Sequence, residues 1–312
     1  MPHCMIASEK SEASSMSKTV EAALIEELLD RLLRTPGEGV VQSVYRRSVN
    51  IEAQGVLFTV ISPTPDRGPA CAVLRRPVSF QGVEPGMRAR WSDGMLTFGD
   101  ISCLYAQAAV RSCLYGPQTA VLPSAAATQR LLGALLHTAS PPQTEGYGAL
   151  IYQKLVRSGR ELCAALRTGQ DPGPAVERMV GFGLGLTPSG DDFLTGFYAT
   201  LRVLGGPAAQ GWAEAVGKAV RPCLNSTTQV GRWMLSCALE GRWRTSLQQV
   251  LLACADHTSQ DLEQAVQALM AVGASSGFDM CMGVQRALAL LNQNERSDEN
   301  GRSDLCQKKF LL

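Results

Sequence analysis

The feature that most restricts the fold is a change of texture near residue 123: short β-type runs fill the chain before it, and none returns after it. Residues 40–49, 55–61 and 70–74 read as strands, broken by Pro63-Thr64-Pro65 and by Arg67-Gly68-Pro69. Residues 87–91 and 95–98 flank Ser92-Asp93-Gly94, and an Asp-Gly pair supplies the positive φ angles of a tight hairpin turn. A further run covers 101–105. Several short antiparallel strands in so few residues predict a small barrel or sandwich, the architectures that close or cover strand edges. Ahead of them, residues 19–34 place Leu24, Ile25, Leu28, Leu29, Leu32 and Leu33 at helical spacing, which predicts an amphipathic helix stopped by Pro36-Gly37.

Beyond residue 123 the apolar spacing is helical throughout, with Gly, Ser or Asn as punctuation. Helices are expected over 124–137, 149–166, 191–204, 208–223, 226–239, 245–255, 261–272 and 278–291. The predicted class is α+β, a small N-terminal antiparallel β-barrel or sandwich followed by a mainly α-helical domain. The boundaries expected are a flexible extension over 1–17, a helix plus β domain over 18–123, a helical domain over 124–292 and a polar tail over 293–312.

Composition narrows the function classes. A hydrophobic share of 45% with 18% charged residues describes a folded chain. The net charge of +1 gives no electrostatic reason to expect nucleic acid or an anionic membrane as a partner. No apolar run reaches the ~20 residues a membrane helix needs, and the start does not read as a secretory signal, so a cytoplasmic location is expected. The 10 cysteines sit mostly in apolar segments and read as reduced core thiols. With 3 histidines and no Cys-x-x-Cys, neither a zinc site nor a Ser-His-Asp hydrolase is expected.

One stretch carries the chemistry: Gly181-Phe-Gly-Leu-Gly-Leu-Thr-Pro-Ser-Gly-Asp-Asp-Phe-Leu-Thr-Gly196. Alternating glycines free the backbone to adopt positive φ and to approach a ligand closely. Thr187 and Ser189 offer hydroxyls at the start of a helix, where amide dipoles favour an anion. A shorter copy follows: Ser189-Gly190-x-Asp192 with Gly196 is matched by Ser276-Gly277-x-Asp279 with Gly283. If the two helix starts face each other, Asp192 and Asp279 flank one polar pocket. Capping explains either copy alone, but it does not require two copies and a glycine run. Neither the dinucleotide fingerprint nor a P-loop is present. Asn225-Ser-Thr-Thr228 reads as a cap for the next helix, with a hydroxyl lining the same pocket as the alternative. Arg46, Arg47, Arg75 and Arg76 are the basic residues of the β region suited to an anion.

Gly-Leu-Gly-Leu-Thr-Pro-Ser-Gly-Asp-Asp-x-Leu-x-Gly, together with Ser275-Ser-Gly-x-Asp-x-x-x-Gly283, resembles the motif pair of the oxamate carbamoyltransferase subunit family associated with allantoin degradation, formerly a domain of unknown function. The resemblance implies carbamoyl exchange between oxalurate plus phosphate and oxamate plus carbamoyl phosphate. It also implies other subunits, one similar to acyl-CoA synthetases, on which part or all of the chemistry could lie. Carried onto this sequence, Asp191, Asp192 and Asp279 become candidate catalytic groups. Gly183, Gly185, Thr187, Ser189, Gly190, Ser275, Ser276 and Gly277 become candidates for substrate or phosphate binding. Asp192 and Asp279 are also the candidate ligands of a Mg2+ ion, because carboxylates beside phosphate need a cation between them; Arg46, Arg47 and Arg232 are the alternatives for that charge. Two other readings stay open: a non-catalytic assembly or ligand-sensing subunit, and a Mg2+-dependent hydrolase.

Overall fold

A computed structural model of the chain describes residues 18–115, 133, 146–205, 207–255 and 259–309. The helix expected over 124–137 and the extension over 1–17 lie outside the described residues, Gly133 excepted. Contacts divide the chain into two units, Met1–Thr64 with Ala70–Arg111, and Pro65–Pro69 with Ser112–Leu312.

The first unit is a closed β-barrel of eight strands with a ninth appended. The strands are β1 (Lys18–Glu26), β2 (Gly37–Val44), β3 (Ser48–Ala53), β4 (Val56–Ile61), β5 (Cys71–Leu74), β6 (Arg88–Ser92), β7 (Met95–Phe98), β8 (Ile101–Leu104) and β9 (Ala109–Arg111). Their order is β5-β4-β3-β2-β6-β7-β8-β1, and β1 pairs back onto β5 through Ala22↔Leu74 and Ile25↔Ala72 to close the ring. Pairing is antiparallel except between β4 and β5 and where β1 meets β8 and β9. The β6–β7 turn has Asp93 at φ 50° and Gly94 at φ 79°, as the Asp-Gly pair requires. Gln54 and Gly55 make the same kind of turn between β3 and β4, at φ 53° and 79°.

The expected helix over 19–34 is half strand. Residues 18–26 form β1, and only Glu27–Leu33 is helical (α1). The reason is tertiary: β1 is the stave that closes the barrel, so its backbone groups find partners on β5 and β8 that a helix would deny them. Glu26 marks the switch. Fully buried, its Oε2 accepts from Leu28 N at 2.8 Å and from Ala70 N at 2.9 Å, capping α1 and fixing the approach to β5. Inside the unit Phe58 meets Trp91 edge-on at 6.2 Å, and Trp91 Nε1 donates to Thr35 O at 2.7 Å. Burying side chains such as Leu29 and Phe58 stabilises the unit by about 1.5–3 kcal/mol each.

The second unit is helical: α2 (Gly146–Thr168), α3 (Gly173–Glu177), α4 (Ser189–Leu204), α5 (Pro207–Cys223), a 3-10 turn (Leu224–Ser226), α6 (Gln229–Leu239), α7 (Thr245–Ala255), α8 (Ser259–Met270) and α9 (Ser276–Lys309). Pro172 and Pro174 open α3, where proline's missing N–H costs nothing. The polar tail beyond Asn292 continues α9 to Lys309, since its Gln, Glu, Arg and Lys residues are good helix formers.

α4 is the axis of this unit: every residue in it except Arg202 is buried. It packs along α9 at a crossing where glycine is obligatory on both sides. A Cβ on Gly196 would lie 2.1 Å from Met280 O, and one on Gly283 would lie 2.0 Å from Phe193 O. The segment Pro65–Pro69 joins this unit by capping α7. Asp66 Oδ1 accepts from Ser246 N at 3.0 Å, and its Oδ2 accepts from Arg244 Nη2 at 2.6 Å. The Arg244 guanidinium and these bonds overcome burial and hold the Asp66 carboxyl below its usual range. No described helix is long and apolar enough to cross a membrane.

Candidate functional site

The two Ser-Gly-x-Asp turns meet. Both helices begin at the serine of the motif, Ser189 for α4 and Ser276 for α9, and their first turns lie against each other in a reciprocal pattern. Ser276 bonds Asp192 of the facing helix, and Ser189 bonds Asp279. Thr187 adds a second hydroxyl to Asp192, Ser275 adds one to Asp279, and Thr187 Oγ1 stands 3.0 Å from Ser276 Oγ. Matched glycines make the same contacts below: Gly190 leaves room for Met179 O and Gly277 for Leu269 O, each of which would lie 1.9 Å from an added Cβ. The motif copies are thus related by a local two-fold, with Gly196 and Gly283 as the lower pair.

The electrostatics are those of two acids out of water. Asp192 is 7% exposed and Asp279 3%, and in each the Oδ2 atom is buried with no hydrogen-bond partner. Burial raises the Asp192 carboxyl well above its ordinary 3.8, and the charge of Asp279 adds to the rise; the hydroxyls and the more distant Arg244 oppose it. Burial lifts Asp279 to about 6 against the pull of Ser189 and Ser275. The rim is more open, with Thr187, Ser275 and Ser276 half-buried and Leu184, Gly185, Gly273 and Ala274 exposed.

Asp191 points elsewhere. Its Oδ1 accepts from Gly181 N at 2.8 Å and its Oδ2 from Thr227 Oγ1, so both oxygens are engaged in fastening the glycine loop to the segment before α6. Gly231 has no side chain because a Cβ there would sit 2.2 Å from Asp191 Oδ2. Burial raises Asp191 as well, opposed by these two bonds. Thr228 caps α6 by accepting from Gly231 N at 2.9 Å and donates to Leu186 O. Within Asn225–Thr228, therefore, the threonines bind loop and helix.

The glycine loop has the backbone that its sequence calls for: Gly181, Gly183 and Gly185 take φ of 74°, 120° and 93°. Gly183 packs so closely that a Cβ would lie 2.6 Å from Ser189 N. Two amide groups expected to face an anion are engaged internally: Gly181 N by Asp191, and Gly190 N by Phe182 O at 2.8 Å. Among the described residues the N–H groups of Gly183 and Gly185 make no hydrogen bond. Of the arginines considered, Arg46 and Arg47 belong to the first unit, and Arg232 Nε donates to Leu224 O at 3.1 Å. Lys154 and Arg178, which sequence reasoning passed over, line a cleft on this unit; no local pattern marks them.

The family profile described as oxamate carbamoyltransferase subunit AllH matches residues 179–288, the stretch holding both turns, and the AllH family N-terminal domain matches residues 13–111, the barrel. The chain belongs to the AllH family. No solved structure matches this AllH chain. The AllH match begins at Met179, whose carbonyl packs on Gly190, and extends past Gly283, so it encloses the whole reciprocal arrangement. As a subunit of an oxamate carbamoyltransferase, an AllH chain works in a complex with other subunits.

Proposed function

We propose that this AllH chain supplies the carbamoyl-binding site of its complex, with Asp192 and Asp279 as the groups that hold the amino nitrogen and the carbonyl of the substrate's carbamoyl end. One observation carries the reading: two facing carboxyls, ringed by four hydroxyls, each keep one buried oxygen without a partner. A carbamoyl group complements such a pair, because its N–H groups donate to a carboxylate while its carbonyl accepts from a carboxylic acid. A bare phosphate dianion does not, since the charged Asp279 repels it. In the exchange of oxalurate and phosphate for oxamate and carbamoyl phosphate, phosphate oxygen bonds to the carbamoyl carbon as the C–N bond breaks. The departing amide nitrogen needs a proton, and a protonated Asp192 is the group assigned to provide it. The unpaired N–H groups of Gly183 and Gly185 suit the oxyanion that develops.

Mg2+ is a weaker fit than a proton. It would be held by Asp192 and Asp279 as its protein carboxylates, whereas burial here favours a protonated Asp192. Asp192→Asn should abolish carbamoyl transfer by the reconstituted complex while circular dichroism and assembly stay as in the parent. Full turnover by that complex would overturn the assignment. If turnover persists but oxamate binding to the subunit is lost, the pair is a sensor, the reading its burial favours second.

A further inference from the structure

One cleft on the helical unit, outside the acid pair, collects three cations. A cleft of about 480 Å3 is lined by Lys154, Arg157, Ser158, Glu161 and Arg178. Glu161 takes both arginines, Arg157 Nε at 3.0 Å and Arg178 Nη2 on its other oxygen, and the two guanidiniums hold it below its usual range. Lys154 is left over: among the described residues it makes no ion pair, and its Nζ rests 4.0 Å from the centre of the Phe182 ring. That ring positions an ammonium without neutralising it. Three cations against one carboxylate leave this cleft with a surplus of positive charge.

Its location gives the surplus a use. Phe182 precedes Gly183, and its carbonyl accepts the Gly190 N–H at the start of α4. Two residues before Lys154, Tyr152 packs on Phe278 with ring centres 6.0 Å apart, and Phe278 adjoins Asp279. Tyr152 and Lys154 of α2 therefore touch the neighbours of the two Ser-Gly turns. We propose that the cleft under Lys154 is an oxyanion subsite, receiving the carboxylate of an oxamate-type substrate or a phosphate. The choice of ligand rests on the carbamoyl reading; the subsite itself does not. It offers a cation next to the glycine loop through the Lys154–Phe182 contact, where the acid pair itself has none.

Calorimetric titration of the full chain with inorganic phosphate and, separately, with oxamate tests this. Lys154→Met should weaken whichever oxyanion occupies the cleft by about tenfold, and Lys154→Arg should restore it. Loss for phosphate alone or for oxamate alone identifies the occupant. Asp192→Asn separates the two ideas: with Lys154 dependence intact and oxamate binding unchanged by Asp192→Asn, the subsite stands and the carbamoyl reading falls. Absence of binding to the parent chain, or equal affinities in the parent and Lys154→Met, would overturn the subsite.

Discussion

Replacing Asp279 by asparagine should make the protein more stable at pH 8 and remove part of its pH dependence. Burial raises the folded-state pKa of Asp279 from 3.8 to about 6, so folding favours the protonated acid. The stabilisation is fully present below the unfolded value of 3.8 and is lost as pH rises through about 6. The full difference is roughly 3 kcal/mol at 1.36 kcal/mol per pKa unit, of which about 1.4 kcal/mol is recovered on moving from pH 8 to pH 5. Asparagine keeps the shape without the charge, so Asp279→Asn should gain up to roughly 3 kcal/mol at pH 8 and flatten that part of the profile. Urea unfolding followed by tryptophan fluorescence reports mainly the helical unit, because Trp212, Trp233 and Trp243 lie in it and only Trp91 lies in the barrel. Lower stability of the variant at pH 8, or an unchanged slope between pH 5 and 8, would show that Asp279 does not carry a buried charge and would refute the reasoning.

Gly196→Ala and Gly283→Ala should each destabilise the helical unit by about 2 kcal/mol or more, because the added methyl meets a backbone carbonyl at 2.1 or 2.0 Å. The unfolding midpoint checks this, and a loss below half that size would show that the helices slide apart easily. Ser275→Ala removes a hydroxyl that favours the Asp279 carboxylate, so the carbon-13 titration midpoint of that carboxyl should move above its present value of about 6; a downward shift would contradict the assigned bond.

The barrel's hairpins were legible where turn chemistry is local, as at Asp93-Gly94, and hidden where it is not, as at Gln54-Gly55. The closing strand was misread because Leu24, Ile25, Leu28 and Leu29 have helical spacing whichever way the chain folds, and only the partners on β5 and β8 decide. At the site, repetition made the pairing of the Ser-Gly turns readable from sequence, since two copies of one cap invite a shared role. Repetition did not reveal that Asp191 and Asp192 part company, yet helix geometry allows that step. Adjacent residues lie about 100° apart around the axis, so one acid can face α9 only if its neighbour faces away. Lys154, by contrast, reaches the glycine loop through Phe182 across a tertiary contact that leaves no mark along the chain.

The local two-fold is imperfect at the position that matters most for chemistry. Ser275 precedes the second turn and bonds the carboxyl of its own helix, whereas the matching position before the first turn is Pro188, which has no hydroxyl to offer Asp192. Asp192 instead depends on Thr187 and on Ser276 from the facing turn, and those two hydroxyls also pair with each other at 3.0 Å. Burial raises Asp192 well above its ordinary range and the charge of Asp279 adds to that rise, whereas Asp279 rises to about 6, so the proton settles on Asp192 and the charge on Asp279. On the proposed function, a nearly symmetric pair thereby has distinct ends: an acid to donate to a carbonyl or a leaving nitrogen, and a base to accept from N–H. Two equal carboxylates could not orient a carbamoyl group, and burial together with the charge of one acid on the other makes this pair unequal.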